Sequence, residues 1–270
     1  MKALLCLFCF LSFSAFANSS LAIIDALGNK TVYTAEQLLR HPDVIRLTLK
    51  KDIVYSDHQL EYTAVPVHSL ISKSQIDTDS IIQFKATDGF SAPLPQQELL
   101  NKNPNQAIAY VAIEETPGKW PNLKGRDFSA APFYLIWVNP DYSNISGESW
   151  PFQLAALEIK DAFEHSYPNV VPASDIAKTS DIYAGFQSFV KNCFVCHKMN
   201  NEGEGVIGPD LNLPMNPTDY FKDAALKKLI RNPASVRTWQ NQLMGSFDES
   251  MLSEQALDQL IAYLKHMSNN

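Results

Sequence analysis

Cys193-Phe194-Val195-Cys196-His197 constrains this chain more than any other stretch. Its spacing sets two thiols on one helical turn, with an imidazole one residue later. This C-x-x-C-H pattern is the attachment signature of c-type haem. Each thiol adds to a vinyl group of one porphyrin, and His197 reaches the iron through a ring nitrogen. A thioredoxin-type pair also uses C-x-x-C, but it expects a βαβ setting and has no use for the histidine. A structural zinc site needs four ligands, and no second Cys or His pair lies nearby in the sequence.

The chain opens Met-Lys, runs apolar from Ala3 to Phe16 and reaches Ala15-Phe16-Ala17. That is the pattern of an export leader over residues 1–17, cleaved near Ala17. The run is too short for a permanent membrane helix, and no later segment approaches that length. Of the four cysteines, Cys6 and Cys9 fall in the leader, so Cys193 and Cys196 are the only thiols of the mature chain. One covalent haem c takes both. Because c-type haem is attached outside the bacterial cytoplasm, the expected location is the periplasm. A formal net charge of −7 argues against nucleic acid as a partner. About 250 mature residues suffice for two domains.

The pattern changes near residue 170. Before it, Val44–Val54, Ile81–Ala86, Ala107–Ile113 and Phe133–Val138 read as strands, with Asp88-Gly89 as a turn. Short helices are predicted at Ala35–Leu39, Pro66–Ile71 and Gln96–Leu100. Tyr167 to Pro172 breaks regular structure and reads as a linker. Beyond it, Asp181–Cys196, Tyr220–Arg231 and a helix capped by Ser253 carry apolar residues at helical spacing. The expected architecture has two domains. An α+β domain with a mixed sheet covers 21–165, a linker 166–174, and an all-α domain 175–270.

Four matches give the second domain a family likeness. Gly185 and Phe189 lead into the cysteine motif. Ile207-Gly208-Pro209-Asp210-Leu211 follows it. Trp239 and Met244-Gly245-Ser246-Phe247 come next, then Leu260-Ile261-Ala262-Tyr263-Leu264. Together they resemble a class I cytochrome c domain. The resemblance implies that the Pro209 carbonyl accepts the second N–H of His197, and that Gly185 lets the first helix approach the last near Tyr263. It also makes Met244 the sixth ligand, so that His197 and Met244 hold the iron, although Gly245 stands where the family usually has Pro. Met215 is the rival. Met199 lies too close to His197 in sequence, Met251 opens the last helix, and His266 is a further nitrogen candidate. A thioether ligand favours the ferrous state, and a filled sixth site favours electron transfer over haem catalysis. Lys222, Lys227, Lys228, Arg231 and Arg237 read as a solvated helix face, with docking to an acidic partner as the other reading.

Tyr62-x-x-Val65-Pro66, Phe84 to Phe90, Ala131 to Leu135 and Trp150 to Ile159 resemble the molybdopterin-binding oxidoreductase domain of the sulfite oxidase type. In that family a Cys thiolate binds molybdenum. The mature domain has no cysteine, and Arg40, Arg46 and Arg126 are its only arginines. The resemblance then implies the fold without its cofactor, used as a docking module for a redox partner. His41, His58, His68 and His165 show no ligand spacing, and Glu114-Glu115 reads as a solvated strand end. The expected function is that of a periplasmic monohaem electron carrier. The alternative is an oxidoreductase whose N-terminal domain binds a substrate or pterin and passes electrons to the haem. A haem-based sensor would need a labile sixth ligand.

Overall fold

The structure is a computed structural model that describes residues 19–71, 79–143, 145–238, 240 and 242–269. The predicted leader, with Cys6 and Cys9, lies outside the described residues, as does Trp239.

The N-terminal part is α+β. Five strands form a mixed sheet in the order β2-β1-β9-β5-β6: β1 (Ser20–Ile24), β2 (Lys30–Thr34), β5 (Ser80–Ala86), β6 (Ser91–Pro95) and β9 (Leu154–Ala162). Within it β1 runs parallel to β9, and the other pairs are antiparallel. A second, antiparallel sheet is ordered β3-β4-β7-β8, with β3 (Ile45–Thr48), β4 (Glu61–Pro66), β7 (Ile108–Ile113) and β8 (Phe133–Val138). One apolar core joins the sheets through Leu21, Ile82, Phe84, Val111, Leu135 and Trp137, all buried. Short helices α1 (Ala35–Leu39), α2 (Val67–Leu70) and α3 (Gln96–Leu99) link strands. Thr34 and Gln37 cap α1 reciprocally.

The strand expected over 44–54 stops at Thr48. Asp52 ends it by accepting the backbone N–H of Val54 and Tyr55, which curls the chain into a turn. The same carboxylate accepts the hydroxyls of Tyr62 at 2.5 Å and Tyr134 at 3.0 Å. Local polar bonding thus overrides the β-branched pair Ile53-Val54.

The C-terminal part is helical. After α4 (Phe163–Ser166) come α5 (Asp181–Asn192), α6 (Pro217–Tyr220), α7 (Asp223–Arg231) and α8 (Glu254–Ser268). The helix expected over 220–231 divides because Phe221 and Lys222 are extended, and Asn216 caps a separate first turn. Met251 lies before the Ser253 cap rather than opening α8. Helices α5 and α8 cross at Gly185, where an added Cβ would lie 1.9 Å from the Gln259 carbonyl oxygen.

The 166–174 segment has little regular structure, as its prolines require, yet it is packed rather than free. Tyr167 and Val170 are buried in the helical core. The Tyr263 hydroxyl donates to the Val170 carbonyl at 2.7 Å, and the Ala173 N–H donates to His266 Nε2 at 3.1 Å. Among the described residues, no helix is long and apolar enough to cross a membrane.

Candidate functional site

Helix α5 delivers the cysteine motif. Ser180 caps its start by accepting the Tyr183 N–H. At its end the chain tightens instead of dispersing: Cys196 N–H and His197 N–H both donate to the Cys193 carbonyl, at 3.0 and 2.9 Å. Cys193, Cys196 and His197 therefore share one turn. Phe194 anchors that turn from below, with its ring 4.9 Å from Tyr167, 5.3 Å from Phe163 and 5.9 Å from Phe189.

His197 Nδ1 lies 2.8 Å from the Pro209 carbonyl oxygen, placed to donate its N–H there. That arrangement leaves Nε2 for a metal. Gly208 makes it possible, because a Cβ at this position would fall 2.4 Å from His197 Cε1. Gly205 does the same for Cys196, whose carbonyl carbon would sit 2.8 Å away. The Gly208 N–H also donates to the Cys196 carbonyl at 2.9 Å. Burial holds the His197 ring below its usual pKa, partly offset by the Pro209 carbonyl and Asp210. The ring is thus neutral near pH 7.

Burial pushes the Cys193 and Cys196 thiols up to about 12, with Glu148 adding to both. A thiol–disulfide catalyst needs the opposite shift, so the pair is a poor redox dithiol. The two sulfurs, on the turn that carries a pinned imidazole, fit a covalent haem.

Met244 lies in the irregular chain between α7 and α8 and is 36% exposed, against 56% for Met215. Arg231, at the end of α7, closes this chain. Its guanidinium donates to the Phe247 carbonyl at 2.9 Å, to the Leu252 carbonyl, and to Glu254 at 2.7 Å. Met199 is fully buried, away from any open face. His266 spends Nε2 on the Ala173 N–H.

Several organising residues escaped the sequence reading. Asp210 accepts N–H bonds from Asn200, Asn201, Asn212 and Leu213, which shapes the loop that carries Pro209. The Asp-x-Asn spacing after Gly-Pro was the available signal for such a turn. Asn216 ties that loop to α8 through the Leu264 carbonyl. Arg231 and Glu204 gave no local signal.

The basic stretch is neutralised in part. Lys227 pairs with Asp258 and Arg231 with Glu254, while Lys222, Lys228 and Arg237 are exposed. In the N-terminal part, Glu115 is engaged by Thr63, Arg46 and Lys119, which hold its pKa down to about 2. His58 and His165 lie at the surface beside Asp57 and Asp161. Among the described residues, no group of three or more His, Cys, Asp or Glu side chains could hold a metal.

Residues 182–268 match the family described as cytochrome c. No curated protein matches the chain. Among solved structures, the sulfane dehydrogenase SoxCD from Paracoccus pantotrophus is 17% identical over 54% of this chain, with a TM-score of 0.35. The matched region spans 39% of that chain's length, and a likeness of this size carries no argument.

Proposed function

With residues 182–268 a cytochrome c domain, we propose that this protein is a periplasmic monohaem c-type cytochrome. It moves single electrons, and its N-terminal part engages a redox-protein partner. The observation that carries this reading is the setting of His197. Its ring is pinned by the Pro209 carbonyl at 2.8 Å, one residue beyond the second of two thiols on one turn.

When bound, the haem supplies a one-electron ferric/ferrous couple. Cys193 and Cys196 would hold it covalently, and His197 and Met244 would ligate the iron. The Pro209 carbonyl accepts a hydrogen bond from the Nδ1–H, which fixes the ring and raises its basicity. The Met244 thioether favours the ferrous state. With His197 and Met244 both held by the iron, these residues would favour electron transfer over haem catalysis. The chain carries one C-x-x-C-H run, which sets one haem per chain. The leader pattern over residues 1–17 supports the periplasm, where such haem is attached.

The test is expression in a bacterium with haem-attachment machinery, followed by intact mass and an alkaline pyridine spectrum. One haem that stays with the protein in acidified organic solvent is the expected result; an extractable haem overturns the proposal. The oxidised protein should show the weak near-infrared band of Met-to-iron ligation. Met244→Ala should abolish it and Met215→Ala should keep it; the reverse reassigns the ligand. Cell fractionation and N-terminal sequencing check export and cleavage after Ala17.

A further inference from the structure

The Cys193–Cys196 turn packs against the N-terminal part on the side of Val195. Val195, between the two cysteines, is 3% exposed. Its backbone carbonyl accepts the N–H of Ser91, at the start of β6, at 3.4 Å. Next to Ser91, the Asp88-Gly89 turn reaches Val206, in the loop between His197 and Gly208. A Cβ on Gly89 would lie 2.5 Å from Val206 Cγ2. On the other side, the 147–149 turn approaches the chain that precedes α8, and a Cβ on Gly147 would meet Met251 Cε at 3.5 Å. Glu148 on this turn lies close enough to act electrostatically on both thiols, and Asp88 on Cys196.

This contact is locked in place. The Glu204 carboxylate, on the loop after His197, pairs with Lys160 at 2.5 Å and Lys85 at 2.9 Å, both from the mixed sheet. Lys85 also pairs with Glu158 at 2.5 Å. The Tyr167 hydroxyl donates to Gln83 at 3.0 Å, and Lys160 lies 5.5 Å from the centre of its ring. Glu202 accepts two bonds from Asn169 at 2.8 Å each. Ile81 of β5 enters the helical core itself.

We infer that the N-terminal part is a fixed wall of the haem crevice, whose 88–91 and 147–149 turns close the porphyrin edge that carries the two thioether bonds. Two thiols on one turn fix which edge of the porphyrin lies against that turn, and the residues that cover the turn cover that edge. A partner therefore exchanges electrons by another edge. The wall also takes Val195 out of water, an apolar residue that an uncovered turn would expose.

This inference rests on haem attachment at Cys193 and Cys196. A pyridine haemochrome spectrum and intact mass, taken first, separate failure of that reading from failure of the wall. The experiment uses the full haem-loaded chain. In the wild type, hydrogen exchange should find the Ser91 amide and the 193–197 segment slow; fast exchange there overturns the inference. Gly89→Val drives a side chain into Val206. The double change Lys85→Ala with Lys160→Ala releases Glu204 without a clash. Either should speed exchange at 193–197. Each should also raise severalfold the rate at which the reduced haem is oxidised by small outer-sphere oxidants. Hexacyanoferrate(III), an anion, and tris(phenanthroline)cobalt(III), a cation, should both gain, which excludes a mere change of surface charge. The near-infrared band should persist. Wild-type exchange and both wild-type rates, in variants that keep that band, would refute the wall.

Discussion

Replacing Gly185 by alanine sets two effects of known sign against each other. In an isolated helix, alanine is preferred over glycine by about 1 kcal/mol, so helix α5 gains. At the crossing with α8, the new Cβ would sit 1.9 Å from the Gln259 carbonyl oxygen, 2.5 Å from its carbon and 2.8 Å from Tyr263 Cβ. Two of those atoms belong to backbone, which cannot rotate aside. Relief to an ordinary contact of 3.4 Å requires the helices to part by about 1.5 Å. A gap of half that size already forfeits a quarter or more of each dispersion contact, and Phe186, Phe189, Leu260 and Tyr263 all pack across or beside this seam. Overpacking of this kind costs about 3 kcal/mol, so the net loss is about 2 kcal/mol. In a chain of this size that lowers Tm by roughly 4–8 °C. The assay is thermal unfolding of the haem-loaded protein, followed by circular dichroism in the far ultraviolet and at the haem band. Because His197 hangs from the end of α5, the haem signal should weaken before the secondary structure does. A Tm equal to or above the wild-type value would mean that helix propensity prevailed and that α5 and α8 do not touch at Gly185.

Arg231→Ala should cost about 2 kcal/mol, since it strips two backbone carbonyls and Glu254 of their donor; it should also weaken the near-infrared band in the same samples, while an unchanged denaturation midpoint would count against the role. The Glu204 contact should fail in acid. Burial alone would raise this carboxyl, but the bonds from Lys160 and Lys85 outweigh it, and its pKa is held below 4.5. Its stabilisation is therefore present above 4.5 and lost as pH falls through the lowered folded value, a dependence that Glu204→Gln should remove from the acid limb of a stability–pH profile. Metal analysis after expression in a host that makes the pterin cofactor should find no stoichiometric molybdenum; near-stoichiometric metal that disappears with residues 18–165 would promote the enzyme reading instead.

The cysteine turn was legible because its residues lie close in sequence, whereas the Pro209 contact and the Gly185 crossing came from the resemblance to class I cytochromes c. Strands β7 and β8 stand almost where their β-branched and aromatic runs placed them. Strand β6 did not show itself, since Ser-Ala-Pro-Leu-Pro carries two prolines; it tolerates them as the edge of its sheet, where β5 is its one strand neighbour. Strands β1 and β2 are short and gave too little alternation to stand out. Arg231 read as part of a solvated helix face and Glu204 did not stand out, because their partners lie 16 to 23 residues downstream for the first and more than 40 residues upstream for the second. Periodicity reports which face of an element is apolar. It is silent about which distant carbonyl or cation a charge will meet.

The place of β1 beside β9 has a consequence for how the molecule is made. These strands stand at opposite ends of the N-terminal part, and their parallel pairing needs the whole intervening chain. The mixed sheet thus stays open while the chain emerges, and contacts of such long range form slowly. The cysteine turn follows soon after β9. Once the sheet has closed and the Ser91 N–H has found Val195, burial holds both thiols near 12 and their nucleophilic form is scarce. Under the proposed function, haem joins Cys193 and Cys196 before that point. The slow strand pairing keeps the thiols reachable for a time, so on that reading the topology of the sheet favours attachment first and closure second.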